Sequence, residues 1–246
     1  MSDRMRGFVF FNGPSLIIPN VEIVGISTLF SENTKTGPMI QTWILAANLH
    51  PIEAVKSGLD RAICGDCKLR FPMKPTEPRF KESIRWRFRL CYVTVSRVGA
   101  AVFRAFRDGS YPDLSLDPDR IMKLSLGRVI RIGSYGEPTA IPIEAWNPIL
   151  SSVLGYTGYT QRWLWKENQA WRPYLRASCH SDKQVEMANK MGWQTFRTLY
   201  PNQSPLDSEK LCPASKEAGK VMTCFQCMAC GGSDGKSREP IYIPLH

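Results

Sequence analysis

The stretch Arg128–Pro138, RVIRIGSYGEP, contains the motif that decides the expected fold. Its first half, Arg128–Ile132, predicts a short strand, and Gly133–Pro138 follows directly as a turn. A helix is expected to begin near Pro142, because proline suits the first helical turn, and to break or kink at Pro148. A strand, a loop and a helix in succession form the repeating unit of a parallel sheet.

Strands and helices alternate in the same way on both sides of this unit. Helices are predicted over Arg97–Arg107 and from Ser181 through Met191, whereas Pro51–Leu90 is expected to be mostly loop. The further predicted strands are Ile40–Leu49, Tyr156–Trp165, Tyr174–Ser178 and Trp193–Tyr200. This alternation predicts an α/β fold with a mostly parallel sheet. Since active sites of such sheets lie at the carboxyl ends of the strands, the loops there are expected to converge.

Seven of the eight cysteines fall into two groups with the spacing of metal ligands. The first group is Cys64, Cys67 and Cys91, and the second group is Cys212, Cys224, Cys227 and Cys230. Thiolates grouped in this way hold a soft metal or an iron–sulfur cluster. A disulfide framework is the alternative, but no secretion signal is visible and thiols stay reduced in the cytoplasm.

The second group matches a ferredoxin-type pattern. In the bacterial ferredoxin run, three cysteines two residues apart are accompanied by a further cysteine that precedes a proline. Cys224, Cys227 and Cys230 supply the three, and Cys212 precedes Pro213. This segment therefore predicts a 4Fe-4S cluster, with zinc as the alternative.

The first group has three clear cysteines, so the identity of a fourth ligand is in question. Three thiolates would leave one iron of a 4Fe-4S cluster open to a small molecule, as an open coordination position does in catalytic zinc sites. The alternative is a closed structural site completed by Cys179, His180 or His50. The sequence leaves both interpretations open.

Length and charge bound the class of protein. With 246 residues and 43% hydrophobic content, the chain can form one core with a metal-bound appendage. A formal charge of +10 favours a nucleic-acid partner. In Arg85–Arg89 basic and aromatic residues alternate, as in a phosphate-contacting edge or in an amphipathic strand with a solvated basic face. No run of about 18 apolar residues occurs, so no membrane partner and a cytoplasmic location are expected.

Two smaller motifs have two interpretations each. Asn33–Gly37 (NTKTG) suits a plain turn better than a phosphate-contacting loop, because it lacks the Walker A pattern. Tyr156, Tyr159 and Trp163 suit a core better than a stacking surface.

The order of the first cysteine group and the Gly-Glu-Pro turn resembles the radical S-adenosylmethionine superfamily. Its members have a full or partial β/α barrel, in which three cysteines after the first strand hold a 4Fe-4S cluster whose open iron binds S-adenosylmethionine. A Gly-Gly-Glu-Pro-type turn after the second strand helps to hold the methionine amino group. The resemblance implies that this cofactor is bound by Gly136, Glu137 and Pro138. The spacing of Cys64 and Cys67, with Cys91 far downstream, departs from the Cys-x-x-x-Cys-x-x-Cys motif of the superfamily.

The resemblance also implies a mechanism. An external reductant would supply one electron through the first cluster to S-adenosylmethionine, and homolysis would yield a 5′-deoxyadenosyl radical that takes a hydrogen atom from a substrate. Cys64, Cys67 and Cys91 would be the ligands of this cluster. The second group would hold an auxiliary cluster, so two 4Fe-4S clusters are expected, with zinc as the alternative at either site.

Longer stretches resemble an uncharacterised phage protein family, gene product 88. This resemblance covers most of the chain after residue 30, and it implies the host cytoplasm as location but no established activity. The stretches that carry it are Asn33–Gly37, Ile63–Cys67, Cys91–Val93, Gly155–Thr160, Gly192–Arg197 and Cys212–Ser215.

These observations lead to one division of the chain and three functional hypotheses. Residues 1–30 are expected to be an N-terminal extension, 31–200 a radical-SAM-like partial β/α barrel, and 201–246 a cysteine-rich metal-binding segment. The first hypothesis is an enzyme that reductively cleaves S-adenosylmethionine to modify an unknown, nucleic-acid-related substrate. The second is a non-enzymatic, metal-stabilised DNA- or RNA-binding protein, with contacts from Arg85, Arg87, Arg89 and Trp86 or Trp163. The third is a degenerate barrel that keeps its clusters for structure or redox sensing.

Overall fold

A nine-stranded, mostly parallel sheet runs through the molecule. A computed structural model describes residues 5–70, 90–219 and 222–245 of the chain. In these ranges the strands are β1 (Gly7–Pro14), β2 (Glu22–Thr28), β3 (Ile40–Ala46), β4 (Val129–Tyr135), β5 (Gly155–Thr160), β6 (Arg176–Cys179), β7 (Thr195–Leu199), β8 (Lys210–Leu211) and β9 (Ile241–Pro244).

The strand order combines a short antiparallel part with a longer parallel part. The order across the sheet is β1-β2-β3-β4-β5-β6-β7-β9-β8. β1, β2 and β3 pair antiparallel, whereas the pairings from β3 onward are parallel. These pairings confirm the expected α/β class with a mostly parallel sheet. Within the described ranges the sheet is open, with β1 and β8 at its edges, so it does not close into a barrel.

Helices connect the strands of the parallel part. In the described residues they are α1 (Pro51–Ser57), α2 (Arg61–Cys64), α3 (Ala100–Arg107), α4 (Pro118–Ser125), α5 (Ile143–Leu150), α6 (Asp182–Lys190) and α7 (Cys224–Cys227). The predicted helix that begins after Ser181 is confirmed as α6, and the Ser181 hydroxyl caps it by accepting a hydrogen bond from the Gln184 amide at 3.3 Å. A π-helical turn, Val95–Gly99, runs into α3.

The prediction that Pro51–Leu90 is mostly loop is wrong for its described part, which contains α1 and α2. The His50 imidazole caps α1 by accepting a hydrogen bond from the Ile52 amide at 3.3 Å. Gly58 ends this helix in the left-handed conformation, at φ +78°. A helix of two turns carries too little hydrophobic periodicity to stand out in a sequence.

Of the two effects expected of Pro148, a break or a kink of its helix, the break does not occur. α5 contains Pro148 and continues to Leu150. Trp146 of this helix is fully buried, and its ring lies 4.6 Å from that of Phe10 between centroids. Tertiary packing of this kind outweighs the local preference against proline.

Three strands of the sheet are buried along their whole length. Every residue of β3, β6 and β7 is buried, as expected for parallel strands between two layers. Beside the main core lies a smaller apolar cluster, which contains Phe196, Cys212, Ala214, Cys230 and Ile241. Two cysteines of the second group are therefore part of a core.

All three expected segments of the chain contribute to this sheet. β1 and β2 lie within residues 1–30, and β8 and β9 lie within 201–246. The basic stretch Arg85–Arg89 lies outside the described residues. Among the residues that are described, no helix has the length and apolar character needed to span a bilayer.

Candidate metal centres

The helix α2 and the loop behind it present the first two cysteines of the first group. Cys64 is the last residue of α2, and the amide of Cys67 donates a hydrogen bond to the Cys64 carbonyl at 3.2 Å. A nearly buried ion pair between Arg70 and Asp60 joins the far side of this loop to the start of α2. The loop is therefore held at both ends, so the two thiols have fixed positions.

Cys91 lies in the neighbourhood of Cys67, although residues 71–89, which the structure does not describe, separate the two along the chain. Burial raises the pKa of the Cys67 thiol to about 12, and the nearby Cys91 and Glu137 raise it in the same direction. Both groups therefore lie within electrostatic range of Cys67. The fold thus places Cys91 and the acidic residue of the Gly-Glu-Pro turn in the neighbourhood of Cys67.

The Gly-Glu-Pro turn packs directly on the helix that carries Cys64. The Glu137 amide donates a hydrogen bond to the Ile63 carbonyl at 2.6 Å. Gly136 has φ +90°, and a Cβ atom there would lie 2.7 Å from Ile44 Cβ and 3.1 Å from the Ile63 carbonyl oxygen. Glycine is therefore required both by the backbone conformation and by the close approach.

The Glu137 carboxylate is buried and saturated with hydrogen bonds. It is 4% exposed and accepts from the Gln161 amide at 2.8 Å and from the Thr139 hydroxyl at 3.2 Å. Burial raises the pKa of Glu137, and hydrogen bonds from Thr160, Gln161 and Thr139 act against this rise. The side chain is thus fixed as an acceptor beside the first cysteine group.

Polar side chains continue along the carboxyl edge of the sheet from this point. Gln161, His180 and Tyr200 directly follow β5, β6 and β7. His180 Nε2 lies 2.9 Å from Gln161 Oε1, and the Gln203 amide nitrogen donates to the His180 carbonyl at 3.0 Å. The loops after successive parallel strands therefore meet at one edge, as the alternation of strands and helices predicts.

The structure gives each proposed fourth ligand of the first group a different environment. His50 caps α1, and its ring lies 5.5 Å from that of Phe103. The Cys179 thiol donates to the Ala177 carbonyl at 3.6 Å. It lies within electrostatic range of Arg197 and Glu209, which form a buried ion pair. These contacts indicate structural roles for His50 and Cys179.

His180 differs from them because it belongs to the polar edge. It is 5% exposed, and its Nδ1 atom is buried without a hydrogen-bond partner among the described residues. Lys68, the neighbour of Cys67 in sequence, lies within electrostatic range of its ring. His180 is therefore the proposed fourth ligand that the fold associates with the first group.

Acid should destabilise the protein through His180. Burial, assisted by Lys68, lowers the pKa of His180 from 6.5 to about 4. The unfolded chain therefore binds more protons than the folded chain between these values, and stability falls as pH drops through this window, by up to about 3 kcal/mol. His180→Gln should remove this part of the pH dependence. Urea denaturation of both proteins at about pH 7 and about pH 4.5 measures it, and equal pH dependence in the two would contradict the prediction.

The four cysteines of the second group line one small recess, which has about 10 Å³ of free space. The recess lies beside the small C-terminal core and is lined by Cys212, Cys224, Cys227 and Cys230 together with Thr157, Pro213, Ala214, Met228, Ala229 and Ile241. The cysteines are thiols rather than disulfides. Burial raises the pKa of the Cys212 thiol, and the neighbouring Cys224 and Cys227 act in the same direction.

A loop from the other end of the sequence supports this recess. The amide of Cys224 donates to the Lys35 carbonyl at 3.0 Å, and the next amide donates to the Thr36 carbonyl at 2.9 Å. Gly37, at φ +75°, faces the start of α7 so closely that a Cβ atom would lie 3.1 Å from the Thr223 hydroxyl. The segment Asn33–Gly37 is therefore a turn that holds α7 in place.

Two buried arginines offset the charge of the second group. Burial raises the pKa of the Cys230 thiol to about 11, while a hydrogen bond from Tyr159 and the charges of Arg176 and Arg131 act in the opposite direction. Arg176 is fully buried and donates to the backbone carbonyls of Gly231, Thr195, Glu239 and Ser237. Positive charge beside thiolates suits an anionic iron–sulfur site, whose properties depend on such neighbours.

Across residues 5–70, 90–219 and 222–245, no group of three or more His, Cys, Asp or Glu side chains is already arranged to hold a metal ion. The recess nevertheless collects four thiols, and thiolates are the ligands preferred by iron–sulfur clusters and zinc. Ligands from distant segments commonly reach their final positions only when the metal binds, because binding and folding are coupled. By the chemistry of its donors, the second group fits such a cluster.

Removing the cap of α7 should loosen the second group. The Thr223 hydroxyl accepts from the Gln226 amide at 3.3 Å, and the Gln226 side chain accepts from the Thr223 amide at 2.9 Å. Thr223→Ala is therefore expected to cost about 1 kcal/mol and to speed the release of metal to a chelator. Thr223→Ser keeps the hydroxyl and should retain the wild-type rate. Equal release from the two variants would refute this role of the cap.

Some residues of these sites were not predicted from the sequence. Arg131, Arg176 and Lys35 approach the second group only through the fold, and no sequence pattern assigned them to it. Trp163 is 1% exposed and its indole donates to the Ser178 carbonyl at 3.1 Å, which confirms it as a core residue. Trp163 is therefore not available to stack on a nucleic-acid base.

Comparison with family models finds no match to this chain, and comparisons with curated proteins and with solved structures find none either.

Proposed function

We propose that this chain is an iron–sulfur protein that binds S-adenosylmethionine at the first cysteine group and cleaves it reductively, as radical S-adenosylmethionine enzymes do. One observation carries the proposal: the Gly-Glu-Pro turn docks on the helix that presents Cys64, and it does so at the carboxyl edge of a parallel sheet. Cys91 and Glu137 lie within electrostatic range of Cys67 at the same place. The proximity of these motifs supports the proposal.

The residues of this site have separate roles in the proposal. Cys64, Cys67 and Cys91 hold the cluster, which, when bound and reduced, supplies the electron that cleaves S-adenosylmethionine. The turn brings the backbone of Gly136, Glu137 and Pro138 next to this site, where it would help to hold the methionine ammonium group. Hydrogen bonds to Thr139 and Gln161 hold the carboxylate in one orientation, so little rearrangement is needed on binding.

The open sheet supports a partial barrel rather than a closed one. Its carboxyl edge carries Gln161, His180 and Tyr200 beside the proposed cofactor site. A substrate placed along this edge would contact hydrogen-bonding side chains from three successive loops. The formal charge of +10 favours a nucleic acid or nucleotide as that substrate.

The test is metal analysis followed by an activity assay. Protein purified without oxygen should contain about eight irons and about eight acid-labile sulfides per chain, as two 4Fe-4S clusters require. After reduction with dithionite it should convert S-adenosylmethionine to 5′-deoxyadenosine. About two zinc ions without sulfide would end this proposal and favour the alternative, a zinc-stabilised nucleic-acid-binding protein. Protein that contains two clusters but does not cleave S-adenosylmethionine would favour the third hypothesis, a degenerate barrel that keeps its clusters for structure or redox sensing.

A further inference from the structure

Two side chains of the central sheet lie between the candidate metal centres. Arg131 of β4 is 6% exposed, and its Cζ atom lies 4.3 Å from the centroid of the Tyr159 ring on β5. Stacking of a guanidinium on an aromatic face is attractive, and more so when the pair is withdrawn from water. The proposed cleavage reaction gives neither residue a role.

Tyr159 connects this pair to the second group. Its side chain packs against the small core that contains Cys230, where it holds the pKa of the Cys230 thiol below the value that burial alone would give, and its ring stacks on Phe196 with 4.2 Å between centroids. Phe196 packs in the small core that includes Cys212 and Cys230. The amide of Gly158, the preceding residue, donates to the Cys230 carbonyl at 3.0 Å. The tyrosine is therefore held against the second group by backbone and ring contacts.

Arg131 connects the same pair to the first group. Its Nη2 atom donates to the Tyr92 hydroxyl at 3.4 Å, and Tyr92 directly follows Cys91. On its other side the guanidinium lies within electrostatic range of Cys224. One permanently charged side chain thus lies between residues of both groups.

Hydrogen bonds to the sulfur ligands and nearby charges set the reduction potential of an iron–sulfur cluster. One-electron reduction makes such a cluster more negative. A hydrogen-bond donor and a buried cation stabilise that added charge, so both raise the potential. The effect is strong where the surroundings exclude water, since charges are poorly screened there.

We infer that Tyr159 and Arg131 are positioning residues that raise the reduction potential of a cluster at the second group, with Arg131 extending this influence to the first group through Tyr92. The inference rests on the proposed function, because it needs a cluster at the second group. It gives the auxiliary site a redox role in addition to any structural one.

Tyr159→Phe isolates the hydroxyl, because phenylalanine keeps the ring beside Phe196 and under Arg131. Reductive titration followed by electron paramagnetic resonance should show a midpoint potential shifted downward, with about a tenfold smaller equilibrium constant for reduction, which equals about 59 mV for one electron. Arg131→Met should lower the potential as well, and Arg131→Lys should restore most of the loss. Reductive titration of the Cys91→Ala protein shows which resonance signal belongs to the second cluster, since only that cluster is expected to remain.

Tyr156→Phe is the matched control. Tyr156 lies on the same strand, but its hydroxyl donates to the Pro173 carbonyl at 3.3 Å, so its removal should leave both potentials unchanged. Iron counts of all variants show whether the clusters are retained. If the wild-type protein contains two clusters but Tyr159→Phe and Tyr156→Phe have equal potentials, this inference is overturned and the proposed function is not. Wild-type protein without iron would overturn the proposed function and the inference together.

Discussion

Cys91→Ala is expected to remove about four of about eight irons per chain and to abolish cleavage of S-adenosylmethionine. Cys91 is the ligand that departs from the usual superfamily spacing, yet it lies within electrostatic range of Cys67. In this variant only the thiolates of Cys64 and Cys67 remain to hold the first cluster, and solvent would have to replace the missing ligand. A cluster held in this way would be lost. Iron and sulfide analysis after anaerobic reconstitution, with 5′-deoxyadenosine as the product measured, tests this expectation.

Cys179→Ala is the matched control for this experiment. Cys179 is fully buried, and its thiol donates to a backbone carbonyl within its own strand. The substitution should preserve the iron content and the activity, although some stability is lost. If Cys91→Ala keeps all of its iron, Cys91 is not a ligand of the first cluster. If Cys179→Ala loses as much iron as Cys91→Ala is expected to lose, Cys179 belongs to the first group.

Gly136→Ala is expected to destabilise the protein strongly and to empty the first centre. Alanine at φ +90° is strained by about 1–3 kcal/mol, and its Cβ would meet Ile44 Cβ at 2.7 Å, which adds about 1–3 kcal/mol of overpacking. Relief of this contact must move the turn away from Ile63 and so displace Glu137. Urea denaturation of the metal-free protein measures the loss of stability, and iron analysis measures the loss of the site.

Gly109→Ala separates the two causes. Gly109 has φ +72°, but a Cβ atom there would meet nothing within 4 Å. This variant should therefore lose only the stability that backbone strain removes, and it should keep all of its iron. If Gly136→Ala and Gly109→Ala are equally stable and bind equal iron, close docking of the turn on α2 has no importance for the site.

Local patterns explain why much of the fold was predictable. β4, β7 and α6 follow from strand-forming composition and from the cap at Ser181, and these signals lie within a few residues of the elements they specify. Where the local signal was weak, as for the two-turn helix α1, the prediction was wrong.

Contacts between distant segments were not predictable from a single sequence. The turn at Asn33–Gly37 supports α7, almost two hundred residues away by numbering, through backbone hydrogen bonds that any residue type can make. The stacking of Arg131 on Tyr159 likewise depends on which strands are neighbours and on their register. Neither arrangement leaves a spacing or composition signal in the chain.

The sequence by itself determined the α/β class and the direction of most of the sheet, because the periodicity of strands and helices is a local property of the chain; the two cysteine groups stay a prediction from spacing. Only the tertiary structure decided that Cys91 and Glu137 lie within electrostatic range of Cys67, that four cysteines line one recess, and that Arg131 contacts both Tyr92 and Tyr159. Those placements follow from strand order and from packing on a shared edge, where side chains from far-apart segments come into range of one another.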